Sequence, residues 1–217
     1  MSTLIIFARA PALGEVKLRL ARAVGEVAAL ALYEAFLEDT CQLTQGLGAR
    51  RILAVAGDVE NPSIVHLAKS QRLQVESQGE GDLGAKLSRA LHAHVGDGPA
   101  LILGSDAPTL PRAHLHQALD ALMDHDIVVG PSRDGGYHLI GARLPVPELF
   151  GDMLWSTPAV LPTTLERIGA RSHVVLPEWY DVDTPEDLEL MRDELTRLPT
   201  TVAPATRRAL AALGAKC

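Results

Sequence analysis

The chain has almost no cysteine, no long apolar run and no surplus of positive charge, and each shortage removes a class of function. Two cysteines, Cys41 and Cys217, stand among 217 residues with no pattern in their spacing. That argues against a disulfide scaffold or a cysteine-ligated metal and points to a reducing compartment. No stretch approaches the roughly 18 consecutive apolar residues of a membrane span, and the most apolar helical region is interrupted by Glu26, Glu34, Glu38 and Asp39. The apolar run Leu4 to Phe7 follows no basic segment, so it reads as a first strand and not as a secretion signal, and a cytoplasmic protein is expected. With 20 Lys and Arg against 27 Asp and Glu, the net charge is −7. A protein that neutralises phosphates along a nucleic acid normally carries a basic face, so nucleic acid is not an expected partner. Neither G-x-x-x-x-G-K-[ST] nor G-x-G-x-x-G follows the first strand, which disfavours P-loop and dinucleotide-binding readings.

What is present suits one medium globular domain. Hydrophobic residues make up 47% and charged residues 22%, enough to bury a core without disulfides or a structural metal. Short apolar runs at Leu4–Phe7, Arg51–Ala56, Leu73–Glu76, Ala100–Leu103, Asp126–Gly130, Tyr137–Ala142 and Ser172–Leu176 read as strands. Helices are expected over about Val24–Leu47, from Asn61-Pro62 to Ser70, and over Ala85–Val95, Pro111–Met123, Pro158–Ile168 and Thr184–Arg197. One short helical turn is expected in the irregular stretch Pro145–Thr157. The alternation predicts a three-layer α/β/α fold with a mainly parallel sheet. Tyr137–Ala142, directly after a strand and a tight loop, predicts one antiparallel interruption. Residues 1–199 form the expected domain, and 200–217 a C-terminal helical tail with a small basic helix over Ala205–Leu213.

Four stretches carry candidate chemistry. The run Ala100–Leu103 breaks into Gly104-Ser105-Asp106-Ala107-Pro108, a strand end of the kind beyond which ligands gather in open α/β sheets, with Asp106 projecting there. In the loop after the first strand, Gly14 with Lys17 and Arg19 could cradle phosphates. The two basic side chains share a side only if the segment is extended, and a solvated basic pair is the plainer alternative. In Asp181-Val182-Asp183-Thr184-Pro185, Asp183 or Thr184 would cap a helix with Pro185 at its first position, yet a cap does not explain carboxylates spaced D-x-D. Mg²⁺ takes one or two carboxylates plus substrate phosphates, and Asp106 with Asp183 supplies that minimum. The same run also has the D-x-D-x-T spacing of haloacid-dehalogenase phosphatases, whose nucleophile belongs on the first strand. Asp134-Gly135-Gly136-Tyr137-His138 permits close approach of a substrate, with Asp134 as an acceptor-binding residue or base, or else forms a simple hairpin turn. Gly81-Asp82-Leu83-Gly84 passes backbone along a flat base or merely starts a helix, and Trp155-Ser156-Thr157 lines an acceptor pocket or caps a helix.

Together, Phe7-Ala8-Arg9-Ala10-Pro11, Gly14, Val16-Lys17, Arg19-Leu20, Gly81-Asp82-Leu83-Gly84, Gly104-Ser105-Asp106-x-Pro108, Asp134-Gly135-Gly136-Tyr137, Trp155-Ser156-Thr157 and Asp181-Val182-Asp183-Thr184-Pro185 resemble one bacterial family. It is the GT-A-fold group labelled arsenosugar-biosynthesis-type glycosyltransferase or selenodomain-associated transferase. The resemblance covers about Thr3 to Arg197 and implies a nucleotide-diphospho-sugar transferase fold. It places the nucleotide on Ala8, Arg9, Pro11, Gly14, Lys17, Arg19, Gly81, Gly84 and Ser105, with Mg²⁺ or Mn²⁺ on Asp106 and Asp183. The residues' own chemistry gives catalysis to Lys17, Asp106 and Asp134, and the acceptor to Asp134, Tyr137 and Trp155. Two positions depart from the family pattern: Leu18 stands where Thr is usual, and Ala85-Lys86 where Glu-Arg is usual. A metal-dependent glycosyltransferase using a nucleoside diphosphate sugar and a small-molecule acceptor is the leading expectation. A nucleotidyltransferase acting on an NTP is the alternative, and a non-catalytic nucleotide-binding module the second.

Overall fold

In the computed structural model, which describes residues 1–214, strands and helices alternate in the expected order. The strands are β1 (Thr3–Arg9), β2 (Arg50–Ala56), β3 (Gln74–Ser77), β4 (Ala100–Gly104), β5 (Ile127–Pro131), β6 (Tyr137–Ala142) and β7 (His173–Val175). The helices are α1 (Leu18–Val24), α2 (Glu26–Leu43), α3 (Pro62–Gln71), α4 (Leu83–His94), α5 (Arg112–Asp124), α6 (Val160–Ile168), α7 (Pro185–Arg197) and α8 (Pro204–Gly214), with a 3-10 turn at Pro147–Leu149.

The strands form one sheet in the order β3-β2-β1-β4-β6-β5-β7. All neighbours are parallel except β6, which runs antiparallel to both β4 and β5. The connection from β5 to β6 is the tight loop Ser132–Gly136, too short for the crossover a parallel pair needs. Strand β1 is central, and its alternate residues serve both faces. Leu4, Ile6 and Ala8 pack with α2, α3 and α5 residues such as Leu37, Ile64 and Leu115, while Ile5 packs with α4 and α6 residues such as Leu91 and Ile168. Burial on both faces is why these strands read as continuous apolar runs.

The helix expected over Val24–Leu47 is α2, and a short helix that was not expected, α1, precedes it and stops at Gly25. This residue ends α1 and begins α2 at φ 85°, ψ 155°, a conformation that only glycine adopts without cost. The extended segment needed to bring Lys17 and Arg19 to one side is also absent. Lys17 takes a left-handed conformation (φ 49°, ψ 46°) at the start of α1, and Arg19 lies on the exposed surface of that helix. Helix α8 docks on α2 through a buried carboxylate, since Asp39 accepts from the Ala205 amide (2.9 Å), the Thr206 amide (2.7 Å) and the Thr206 hydroxyl (2.6 Å). Asp39 thus caps a helix from another element, and burial raises its pKa above the ordinary carboxylate value. Cys217 and the end of the expected tail lie outside the described residues.

Candidate active site

In the strand order, β1 lies between β2 and β4, so the chain leaves β1 to one side and later returns to the other. The crevice beyond the carboxyl ends of β1 and β4 is therefore the topological switch point of the sheet. Asp106 follows β4 into that crevice. The Asp181–Asp183 segment reaches it from β7, and the Val182 amide donates to the Asp106 carbonyl at 2.8 Å. Val182 is fully buried in the cluster formed by α1, α2 and α7. Alternation along an extended segment then turns Asp181 and Asp183 away from that cluster and toward the crevice. Helix α7 does not need Asp183 as a cap, because Thr184 and Asp187 form a reciprocal capping box with Pro185 behind them. The D-x-D spacing is thereby left free for other work.

The Lys17 ammonium lies between the carboxylates of these two segments, 2.8 Å from Asp106 Oδ1 and 2.7 Å from Asp183 Oδ1. Its side chain is 3% exposed while those of Asp106 and Asp183 are 37% and 44% exposed, so the cation is enclosed and its partners face the cavity. The ammonium also sits 5.8 Å from the centre of the Phe36 ring. Burial pulls the Lys17 pKa down, but the two carboxylates more than reverse this, and the group stays charged above its ordinary value. Among the described residues Asp181 has no ion-pair partner, although the Lys17 charge favours its anion from farther off. Burial, with the Asp106 charge behind it, pushes its pKa up to about 7 even though the Ser132 hydroxyl donates to Asp181 Oδ2 at 2.7 Å. Tyr33 fixes the end of β1, its hydroxyl accepting from the Arg9 amide and donating to the Arg9 carbonyl, each at 2.8 Å.

Two cavities meet at Asp106. The larger, about 480 Å³, is lined by Ala8, Arg9, Lys17, Tyr33, Gln78, Gly81, Lys86, Ser105, Asp106 and Asp183 among others. The smaller, about 240 Å³, is mostly apolar and includes Leu87, Tyr137, His138, Ile140 and Asp181. Phe7, Leu83, Ser105 and Asp106 belong to both walls. Within the larger cavity Gln78 is held by donation of its amide to the carbonyls of Ala8 (3.0 Å) and Ala54 (2.9 Å). Among the described residues no carboxylate pairs with Arg9 or Lys86, which leaves both charges available to an anion.

The residues expected from sequence divide by position. Ala8, Arg9, Lys17, Gly81, Ser105, Asp106 and Asp183 line the larger cavity, and Tyr137 the smaller. Pro11, Gly14, Arg19, Gly84, Asp134 and Trp155 line neither. Pro11 closes a separate pocket beside α2 and α3, Gly14 is exposed, and Arg19 is carried away by α1. Gly84 is there for packing, because a Cβ at that position would collide with the Phe150 carbonyl and the Trp155 ring. Trp155 is accordingly a wall for α4, edge-on to Tyr137 with ring centres 6.4 Å apart. Asp134 is exposed in the hairpin, accepting from the Gly136 amide at 2.9 Å. The sequence reading overlooked Asp181 as a site residue although its spacing pointed to it. It also passed over Tyr33, which looked like core, and Gln78, which carries no motif.

The donor set suits a hard divalent cation in part. Asp106 and Asp183 each bring one carboxylate oxygen to the Lys17 ammonium, and both residues border a cavity able to admit phosphate oxygens, and one or two carboxylates plus phosphate is the set Mg²⁺ takes. Among the described residues no group of three or more His, Cys, Asp or Glu is placed to hold a metal unaided. Phosphate oxygens and water would complete the coordination. Among the described residues no helix is long and apolar enough to cross a membrane.

Solved structures share this architecture. A Desulfovibrio desulfuricans G20 protein provisionally assigned to the nucleotide-diphospho-sugar transferases is 28% identical, with TM-score 0.87 over 98% of this chain and 96% of that one. A Leptospira borgpetersenii cytidylyltransferase is 14% identical, with TM-score 0.61 over 99% and 94%. Glucosyl-3-phosphoglycerate synthase of Mycobacterium tuberculosis, solved with Mn²⁺, UDP and glucosyl-3-phosphoglycerate, is 16% identical, with TM-score 0.54 over 100% and 80%. The last two likenesses concern the fold alone. No curated protein matches the chain. A family model described as "uncharacterized protein conserved in bacteria (DUF2064)" matches residues 39–157, more than half of the sequence. With its sheet order and the first of these likenesses, this chain belongs to that bacterial family and has the nucleotide-diphospho-sugar transferase fold of GT-A type.

Proposed function

We propose that the protein is a metal-assisted transferase that takes a nucleoside diphosphate sugar in the larger cavity and a small-molecule acceptor in the smaller one. The observation that carries this reading is the convergence of Asp106 and Asp183 on a single cation position where the two cavities join. A bound Mg²⁺ or Mn²⁺ would offset the charge developing on the departing diphosphate. The chain's own part is to hold the reactants: Arg9 and Lys86 draw the phosphates, Gln78 and Gly81 border the nucleoside, and Asp106 and Asp183 supply the carboxylates. Asp181, on the acceptor side, is positioned to accept a hydrogen bond from an acceptor hydroxyl. Attack of that hydroxyl oxygen on the anomeric carbon, with its proton passing to the Asp181 carboxylate, breaks the bond to the diphosphate, which leaves as nucleoside diphosphate.

The same site supports nucleotidyl transfer, in which the acceptor attacks the α-phosphorus of an NTP and pyrophosphate leaves. The fold shared with cytidylyltransferases favours keeping this second reading. Incubation with labelled UDP-glucose, GDP-mannose and the four NTPs across an acceptor panel separates the two. Nucleoside diphosphate release supports the first, pyrophosphate release the second, and retained binding without turnover a non-catalytic nucleotide-binding module.

A further inference from the structure

The enclosed position of Lys17 raises a question of charge balance. One ammonium lies against two carboxylate oxygens at 2.8 and 2.7 Å, in the space a shared metal would need. Mg²⁺ binds carboxylate oxygens at about 2.0–2.1 Å, so a metal bridging those same two oxygens and the ammonium cannot be present together, on grounds of both volume and like charge. The protein therefore carries its own counter-ion where the cation of the donor complex is expected.

We propose that Lys17 is a displaceable internal cation that makes divalent-metal binding conditional on an anionic co-ligand. This rests on the metal site of the preceding subsection. Without a nucleotide, a metal must expel the ammonium from the two carboxylates that hold it. With a diphosphate in the cavity, the ammonium exchanges one pair of anionic oxygens for another, and metal and nucleotide then bind as a unit. The backbone is suited to such an exchange. Lys17 has a left-handed conformation uncommon for a residue with a side chain, caps α1 with no side-chain hydrogen bond, and follows the largely exposed stretch Ala12–Glu15. Holding Lys17 between Asp106 and Asp183 ties down this loop, and withdrawing the ammonium releases it.

The test is Mn²⁺ affinity of the full-length protein by electron paramagnetic resonance, without nucleotide, for wild type, Lys17→Met and Lys17→Arg. Lys17→Met is expected to bind Mn²⁺ roughly tenfold or more tightly than wild type, because no ammonium competes for the two carboxylates. Lys17→Arg, which keeps the charge, is expected to remain weak. Thermal denaturation guards against a misfolded variant, since Mn²⁺ should raise the melting temperature of Lys17→Met more than that of wild type. Equal affinities in wild type and Lys17→Met would overturn the proposal while leaving the metal site standing, as would a metal held only on the outer oxygens. Absence of Mn²⁺ binding in every form, with UDP, CDP, GDP or ADP present or not, would overturn the metal site and the proposal together.

Discussion

The Val182 amide donates to the Asp106 carbonyl at 2.8 Å, joining the end of β4 to a segment that arrives from β7. This one backbone bond fixes the height of Asp181 and Asp183 relative to Asp106. The burial of Val182 fixes their direction, and the separate capping of α7 by Thr184 and Asp187 keeps the Asp183 carboxylate unspent. The site is thus assembled by backbone and core, and its side chains can be changed one at a time.

Replacing either carboxylate proposed to hold the metal should slow catalysis without unfolding the protein. Asp106→Asn and Asp183→Asn are each expected to lower kcat by about 10²–10³-fold, the usual scale for losing one charge-stabilising group. Asp134→Ala, in the exposed hairpin, should remain within about threefold of wild type, as surface changes away from a site usually do. Steady-state kinetics with the active donor checks all three.

Nucleotide affinity should depend on Lys86 and not on Arg19. Lys86 borders the larger cavity without a carboxylate partner, whereas Arg19 projects from α1 beyond it. Lys86→Ala should weaken nucleoside diphosphate binding by about tenfold, as expected for one lost charged hydrogen bond, while Arg19→Ala leaves it unchanged. Isothermal titration calorimetry reads both.

Stability should carry the signature of Asp181. Burial and the nearby Asp106 charge raise its folded pKa to about 7 from the ordinary carboxylate value of 3.8. Its contribution is therefore fully present below the unfolded pKa and is lost as pH rises toward and through 7. Asp181→Asn should melt at a higher temperature than wild type at pH 8, and this advantage should vanish at pH 4. An advantage independent of pH would show that the carboxylate is not the cause.

Two structural substitutions probe the frame. Asp39→Ala leaves the Ala205 and Thr206 donors of α8 without their acceptor and should cost about 1–3 kcal/mol, read by urea denaturation. Gly84→Ala forces α4 away from Phe150 and Trp155 and should cost about 1–3 kcal/mol through overpacking. Because Leu83 borders both cavities, this substitution should also raise KM.

Much was legible in the sequence because much of it is local. All seven strands, the antiparallel β6 and the helix start at Thr184-Pro185 follow from apolar runs, turn residues and caps, which act between near neighbours. Asp106 was legible for the same reason, as an acidic residue in a turn after a buried strand. The helix not read from the sequence is α1, which starts within the punctuated loop after β1 and is set apart from α2 by Gly25.

The remaining decisions needed three dimensions. That Lys17 pairs with two aspartates instead of joining Arg19 on a phosphate depends on α1 beginning at Leu18 and on Asp106 and Asp183 meeting across the sheet. That Gly84 and Trp155 serve packing depends on the segment around Phe150 crossing α4. The chain order alone thus specifies an α/β/α layering with acidic turns at the strand ends. Which of those acids share the Lys17 ammonium, which is held only by a hydroxyl and has its pKa raised to about 7, and which lies exposed in a hairpin was decided by the tertiary fold, because charges act through space and burial is set by neighbours distant in sequence.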